Sequence, residues 1–333
     1  MAGMPRGFGD NLTGAEAAPM LRIQQTRIRE EEGVRKPMKI GFIGGTGLYS
    51  PGSDEHAEQL DVHTPYGDPS ERIIHIQRDA RDFFFLARHG IGHRILPSEI
   101  NHRANIFALR KLGVRTIIAF SAVGSLREEI RPGDFVLPDQ YLDRTKRSAD
   151  HTFFGRGIVA HISFAQPICG RLRSYVEKMV RRVCAGQSDR VISGGTYVNI
   201  EGPAFSTPAE SNFYRLIGCD VIGMTSLAEA KLSREAGICY TAVALVTDYD
   251  AWQQAYASDS VEEIVKVLSR KVGLSQRIIQ AIMDEPPDQS DCPCRHALDN
   301  AIVTDPRSVP EDRLAELQLI LPAQFLQPIR EKN

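Results

Sequence analysis

Two acids, Asp248 and Asp250, stand directly behind the most apolar run of the chain, Ala244-Leu245-Val246, in the stretch V-T-D-Y-D-A-W (246–252). A carboxyl at the end of a buried strand is desolvated, which raises its pKa and lets it hold a proton for donation near neutral pH. In isolation the same pair could simply cap the loop after the strand. A glycine turn, G-F-I-G-G-T-G-L-Y from Gly41, follows another apolar segment and could cradle a phosphate, because glycines let backbone N–H groups approach an anion closely. His89 and His93 are four apart, the spacing of two ligands on one helix turn. Their setting R-H-G-I-G-H is too rich in glycine for a helix, and no H-E-x-x-H occurs, so no metal site is predicted.

The glycine turn has a rival reading. Gly41, Gly44 and Gly47 match the G-x-x-G-x-x-G variant of NAD(P)-binding short-chain dehydrogenases, whereas the stricter G-x-G-x-x-G fails at Ser50. Such a dehydrogenase needs a Tyr-x-x-x-Lys pair, and none of the nine tyrosines has a lysine four positions on. A tight turn without ligand is the plainer alternative, and only other sites can decide between them.

These residues need a frame. Apolar strands are predicted at 39–43, 82–87, 114–120, 134–138, 191–200, 219–223 and 238–246, alternating with helical stretches, which argues an α/β fold. One helix is predicted from Ser98 to Gly113, and a second from T-P-A-E at Thr207, where a cap, a Pro in the first turn and a reciprocal Glu coincide. A third follows Ser260, with apolar residues at 261, 264, 265, 268 and 272 over a charged face. The Pro-, Asp- and Cys-rich stretch from Glu285 to Pro310 is expected to be a loop, followed by a terminal helix in E-D-R-L-A-E-L-Q-L-I-L-P. Residues 1–37 are expected to be a mobile extension, and 38–333 a single domain.

Composition narrows the function. A chain of 333 residues with 42% hydrophobic and 25% charged content can bury a sizeable core. A formal charge of −2 gives no global pull towards nucleic acid or an anionic membrane, which favours a small-molecule partner. The six cysteines have neither the C-x-x-C spacings of a zinc site nor the density of a disulfide scaffold, which suits a reducing cytoplasm. No run reaches the roughly 18 apolar residues of a membrane span, and no signal peptide is evident.

Further motifs join the glycine turn: L-A-R-H-G (86–90), S-A-V-G-S-L-R-E-E-I-R-P-G-D (121–134), G-G-T-Y-V-N-I-E-G-P-A-F-S-T-P-A-E-S (194–211) and I-G-M-T-S-L-A-E-A (222–230). With V-T-D-Y-D-A-W they resemble, in this order from about Met38 to Met283, the 5′-methylthioadenosine phosphorylases of the purine nucleoside phosphorylase superfamily, in its trimeric-type branch. The resemblance implies a central mixed, partly barrelled β-sheet flanked by helices, and a homotrimer or a dimer of trimers. It implies phosphorolysis of 5′-methylthioadenosine to adenine and 5-methylthioribose 1-phosphate, with inorganic phosphate as co-substrate and no metal or organic cofactor.

Residue by residue, it implies that Thr46, Arg88, His89, Ser121, Ala122 and Thr225 hold phosphate, Arg88 through its charged fork and Ala122 through its backbone N–H. Met224 would hold the ribose, and His93 would line the ribose side or simply pack. Phe205 and Ile222 would wall the base. Val261, Ile264 and Val265 would line the 5′ pocket, where a thioether wants apolar neighbours, with His161 reaching in from a neighbouring subunit. Asp248 would protonate purine N7 as the base departs, with Asp250 ordering the surrounding hydrogen bonds. A carboxylate suits the exocyclic amine of adenine, whereas relatives acting on 6-oxopurines carry Asn there. Methylthioinosine or a broader purine nucleoside set is the neighbouring alternative, and a catalytically idle nucleoside binder a more distant one.

The chain also departs from its resemblance. Ala204 stands where many relatives have a charged or amide residue, and G-M-T-S-L-A-E replaces the N-M-T-T-V-P-E of one branch. Cys292-Pro-Cys294 resembles a Cys-x-Cys pair of some heat-stable members, but neighbours so close strain a disulfide, and free thiols are expected.

Overall fold

The structure is a computed structural model that describes residues 39–45, 57–253 and 261–330, without the side chains of 261–263 and 328–330. The expected N-terminal extension and Thr46 lie outside the described residues. Strands β1 (Lys39–Gly44) and β4 (Arg81–Ala87) pair in parallel, and β3 (Ile73–Arg78) and β2 (Glu58–Leu60) extend that edge antiparallel. On the other side of β1 runs β5 (Thr116–Ser125), also parallel.

The sheet branches at β5. One edge of β5 is occupied along its length by the parallel strand β11 (Cys239–Tyr249). The other edge is shared: β1 pairs with Thr116–Ala119, and the short antiparallel β10 (Val221–Gly223) pairs with Gly124 and Ser125. Phe120 to Val123 therefore lie between two diverging neighbours, at the carboxyl ends of four parallel strands. In open α/β sheets such a switch point is where ligands bind. Beyond β10 come β9 (Thr196–Ile200) and β7 (Gln140–Arg144), while β6 (Phe135–Leu137) and β8 (Val191–Ser193) continue outward from β11, giving one 11-stranded mixed sheet.

Both faces are covered, because neighbouring residues of the parallel strands alternate between two cores. Ile43, Leu86, Ile117 and Ala119 pack with α1 (His102–Lys111) and α4 (Ser226–Glu235). Phe42, Phe85, Ile118 and Phe120 pack with α2 (Gly170–Cys184) and α5 (Val261–Asp284). Each fully buried aliphatic or Phe side chain contributes about 1.5–3 kcal/mol.

Several predicted boundaries change for identifiable reasons. The segment 191–200 is two strands, because Gly194 and Gly195 both take positive φ (81° and 111°) and send β8 to β6 but β9 to β10 and β7. The first predicted helix starts later: Pro97–Glu99 is a single 3-10 turn, and Asn101 is the true cap, accepting from Ala104 N at 3.1 Å. The helix α3 (Pro208–Leu216) has the predicted capping box, Thr207 and Glu210 bonding each other's backbone. The terminal helix expected in 311–322 is the shorter α6 (Glu311–Leu317), and a further helix, α7 (Ala323–Arg330), starts directly after Pro322. Strand β11 runs on to Tyr249, past the predicted end at Val246, because a bulge at Thr247 lets pairing with β5 resume at Asp248.

Candidate active site

At the branch point, the chain leaving β4 delivers Arg88 and His89. Arg88 N donates to Gly44 O at 3.0 Å, which ties this turn to the end of β1. The Arg88 side chain is buried, 1% exposed, and fills the gap in the ladder: Nη1 donates to Phe120 O at 2.8 Å. Its Nε and Nη2 make a two-pronged bond to Glu229 of α4, at 2.5 and 2.9 Å. Burial works against the guanidinium's charge, but the Glu229 carboxylate more than offsets it, so Arg88 is held firmly cationic. These three bonds use three of its five N–H groups, and the other two have no hydrogen-bond partner among the described residues.

Glu229 belongs to a larger buried network. Tyr240 OH donates to Glu229 Oε2 at 2.9 Å and lies 2.9 Å from Ser226 Oγ, which in turn lies 2.5 Å from Tyr141 OH. Thr225 is the N-cap residue of α4 and is buried, but its side chain makes no cap bond. Asn199 Oδ1 accepts from Leu227 N in its place, at 3.1 Å. The remaining positive end of the helix macrodipole thus sits beside Thr225. Ser121 Oγ is buried with no hydrogen-bond partner among the described residues. Ala122, next to it on β5, is exposed.

His89 is 8% exposed, and its ring stacks on His93 at 4.3 Å. Burial, then the neighbouring Arg88 charge, push its pKa down to about 4. It is therefore neutral at pH 7. Its Nδ1 lies 2.9 Å from Ile95 O, and a carbonyl only accepts, so Nδ1 carries the proton and Nε2 is an acceptor. His93 is more exposed, takes φ 56°, and is also lowered by burial.

The two acids sit at the same end of the sheet. Ile222, Gly124 and Asp248 lie in register across β10, β5 and β11. A Cβ on Gly124 would stand 3.1 Å from Ile222 Cγ2, 3.3 Å from Asp248 Oδ2 and 3.4 Å from Asp250 Cβ, so glycine is what allows these residues to converge. Asp248 is half-buried, with Thr247 Oγ1 2.6 Å from its Oδ1. The desolvation predicted for Asp248 falls on Asp250 instead. Asp250 is 6% exposed, burial raises its pKa, and its Oδ2 has no hydrogen-bond partner among the described residues. The bulge at Thr247 explains the exchange: it brings Asp248 level with Gly124 at the open edge and carries Asp250 under the following loop. That loop is pinned by Asp250 N and Trp252 Nε1, both donating to Ser125 O (3.0 and 2.8 Å), and by Arg215 lying 3.8 Å over the Trp252 ring.

Met224 lines a cleft with His102, Asn199, Glu201 and Ala228, and a Cβ on Gly202 would stand 2.6 Å from its sulfur. Gly223 is explained by Tyr197: any side chain at 223 would overlap the Tyr197 hydroxyl and ring. The other predicted nucleoside residues are not gathered into this buried row. Phe205 is 59% and Val265 47% exposed, Ile264 is half-buried, and Val261 has no described side chain. His161 is exposed, its backbone N–H donating to Ala301 O at 2.8 Å in the C-terminal segment.

Glu229, Tyr240, Ser226, Tyr141 and Asn199 were not among the predicted site residues. Glu229 was within reach of sequence reasoning, since an acid in the otherwise apolar S-L-A-E-A needs a buried partner.

Comparison with known proteins agrees with this geometry. The sequence model of the Phosphorylase superfamily matches residues 39–284. The chain is 46% identical over 282 residues to S-methyl-5′-thioadenosine phosphorylase of Geobacter sulfurreducens, covering 85% of this chain and 97% of that protein. It is 47% identical over 287 residues to the enzyme of the same name from Koribacter versatilis, covering 86% and 97%. Among solved structures, a methylthioadenosine phosphorylase from an antarctic soil metagenomic library superposes with a TM-score of 0.76 at 39% identity, covering 86% of this chain and all of that one. The chain belongs to the phosphorylase superfamily and, within it, to the S-methyl-5′-thioadenosine phosphorylase family. The dehydrogenase reading of the glycine turn falls with that result.

Proposed function

We propose that this protein cleaves 5′-methylthioadenosine with inorganic phosphate, giving adenine and 5-methylthioribose 1-phosphate. A phosphate oxygen bonds to the anomeric carbon as the bond to N9 breaks, the base keeps the electron pair, and a proton is delivered to N7. The observation that carries this reading is the buried Arg88 side chain in the gap beside β5, bonded to Phe120 O, with the buried Ser121 Oγ next along β5 having no hydrogen-bond partner among the described residues.

The phosphate would sit at the branch point, held by the two remaining Arg88 N–H groups, the Ser121 and Thr225 hydroxyls, the Ala122 N–H and Thr46. Neutral His89 suits this site as an acceptor for the hydroxyl of hydrogen phosphate through Nε2. Because Arg88 and Glu229 cancel, little net charge is spent on the anion, and hydrogen-bond geometry does the holding.

The base would lie along Ile222 and Gly124, with its N7 and amine edge on Asp248. Once stacked there it excludes water from Asp248 and favours the protonated acid, worth about 10²–10⁴-fold in rate. Asp250 orders the loop beneath. Met224 would face the ribose. The apolar wall of the 5′ pocket would come from Phe205, Val261, Ile264 and Val265, and from His161 of a neighbouring copy in a homotrimer or dimer of trimers. No described helix is long and apolar enough to cross a membrane, and a reducing cytoplasm suits the six thiols.

The test is purified protein with methylthioadenosine, with and without phosphate, followed by quantifying adenine. Adenine is expected only with phosphate, together with an equal amount of sugar phosphate. Release without phosphate would mean hydrolysis and overturn the reading.

A further inference from the structure

Away from this site, four buried cysteines meet at one point. The Sγ atoms of Cys169, Cys239, Cys292 and Cys294 all lie within 4.8 Å of one another, and Cys169 and Cys292 are 3.6 Å apart. None is in a disulfide, whose sulfurs would be about 2.05 Å apart. Four thiolates around zinc, each at about 2.3 Å, have S···S edges of about 3.8 Å, which is the scale of this cluster.

We propose that these four cysteines bind one zinc ion in a closed tetrahedral site that fastens the C-terminal loop to the sheet. The ligands come from three segments already fixed by their backbones. Cys169 is the N-cap residue of α2, and its N–H donates to Tyr240 O at 3.0 Å. Cys239 opens β11, and its N–H donates to Arg115 O at 3.0 Å. Cys292 and Cys294 flank Pro293 in a 3-10 turn closed by Arg295 N to Cys292 O at 3.1 Å. That turn presses on the α4–β11 connection, where Gly237 at φ 64° leaves room for the Arg295 carbonyl.

The thiolates also have partners for their charge. A tetrathiolate zinc centre carries a net −2. The N-terminus of α2 favours an anion at Cys169, and Arg234 is near enough to Cys294 to act on it electrostatically. Buried cysteines are common as small apolar fillers, but fillers do not require four sulfurs from three segments to share one centre. A closed tetrahedral tetrathiolate site is the pattern of structural zinc; iron takes the same ligands, and its visible chromophore separates the two in the experiment below. It is also remote from the chemistry: Cys239 and Asp248 lie at opposite ends of β11, about 30 Å apart at the rise of a strand. The ion would stabilise the fold and take no part in phosphorolysis.

The experiment measures metal in the full chain, purified under reducing conditions without chelator from zinc-supplemented medium. One zinc per chain is expected, released stoichiometrically to an indicator dye when a mercurial blocks the thiols. Cys292→Ser/Cys294→Ser should lose the ion, and Cys184→Ser, outside the cluster, should keep it. Cobalt(II) exchanged into the wild type should give the intense visible bands of a tetrahedral tetrathiolate, a readout that does not depend on the variant folding. Absence of metal with all thiols titratable, two disulfides by mass, or a stoichiometric iron chromophore would each overturn the proposal.

Discussion

The two ends of the proposed site are built differently. At the proposed phosphate end, Arg88, Glu229, Tyr240, Ser226 and Tyr141 form a continuous hydrogen-bonded network, buried except for the partly buried Tyr141, so an anion subsite there would be built before any ligand arrives. At the nucleoside end, Ile222 and Asp248 are in place, but Phe205 and Val265 are exposed. Under the proposed function, the sheet would supply the anion grip and the leaving-group acid, and the sugar and thioether pocket would be finished by the substrate and a neighbouring copy.

The sharpest way to break the contrast is at the network. Glu229→Leu leaves the buried Arg88 charge without its partner, and is expected to cost about 3–5 kcal/mol of stability, measured by urea unfolding, along with phosphate-dependent turnover. A variant as stable as wild type would mean the anion end is not prebuilt. Next in size, Asp248→Asn should lower kcat/KM for methylthioadenosine by about 10²–10⁴-fold while moving stability by less than about 0.5 kcal/mol. Wild-type turnover in that variant would remove Asp248 from its proposed role. Gly124→Ala should cost about tenfold in kcat/KM, about 1.4 kcal/mol in the barrier, because the new methyl pushes on Ile222 and Asp248 together. An unchanged rate would mean the row across β10, β5 and β11 has slack.

A separate handle is pH. His89 titrates near 6.5 when unfolded but near 4 when folded, so below pH 6.5 the unfolded chain takes up the proton first. Stability should therefore fall as pH drops from 6.5 towards 4, and His89→Asn should make that fall shallower in thermal melts without phosphate. Identical slopes would show that His89 is not held neutral by its burial.

How legible this was depended on the kind of signal. The parallel strands announced themselves as apolar runs, and Thr207 with Glu210 gave a helix start that the structure reproduces bond for bond. Helix α4 was missed because Ser226, Glu229, Ser233 and Glu235 are all buried, so no polar face marks a helical period. Helix α2 does carry an apolar stripe at Leu172, Val176, Met179 and Val180, but Cys169 offers no side-chain cap to advertise its start. The exchange of environment between Asp248 and Asp250 turns on one bulged residue, Thr247, and alternation along a strand cannot foresee a bulge. The cysteine cluster was invisible for a related reason: its members come from three segments, and spacing along the chain says nothing of their meeting.

Gly223 and Tyr197 occupy a single shared volume on adjacent strands. A larger residue at 223, as in the N-M-T branch, cannot enter while the tyrosine ring remains, and removing the ring alone leaves a void beneath the strand. The two positions are thus epistatic: each substitution is harmful by itself and tolerable only with its complement. Any mutational path from this form of the site to the other must change both together or pass through a weakened intermediate.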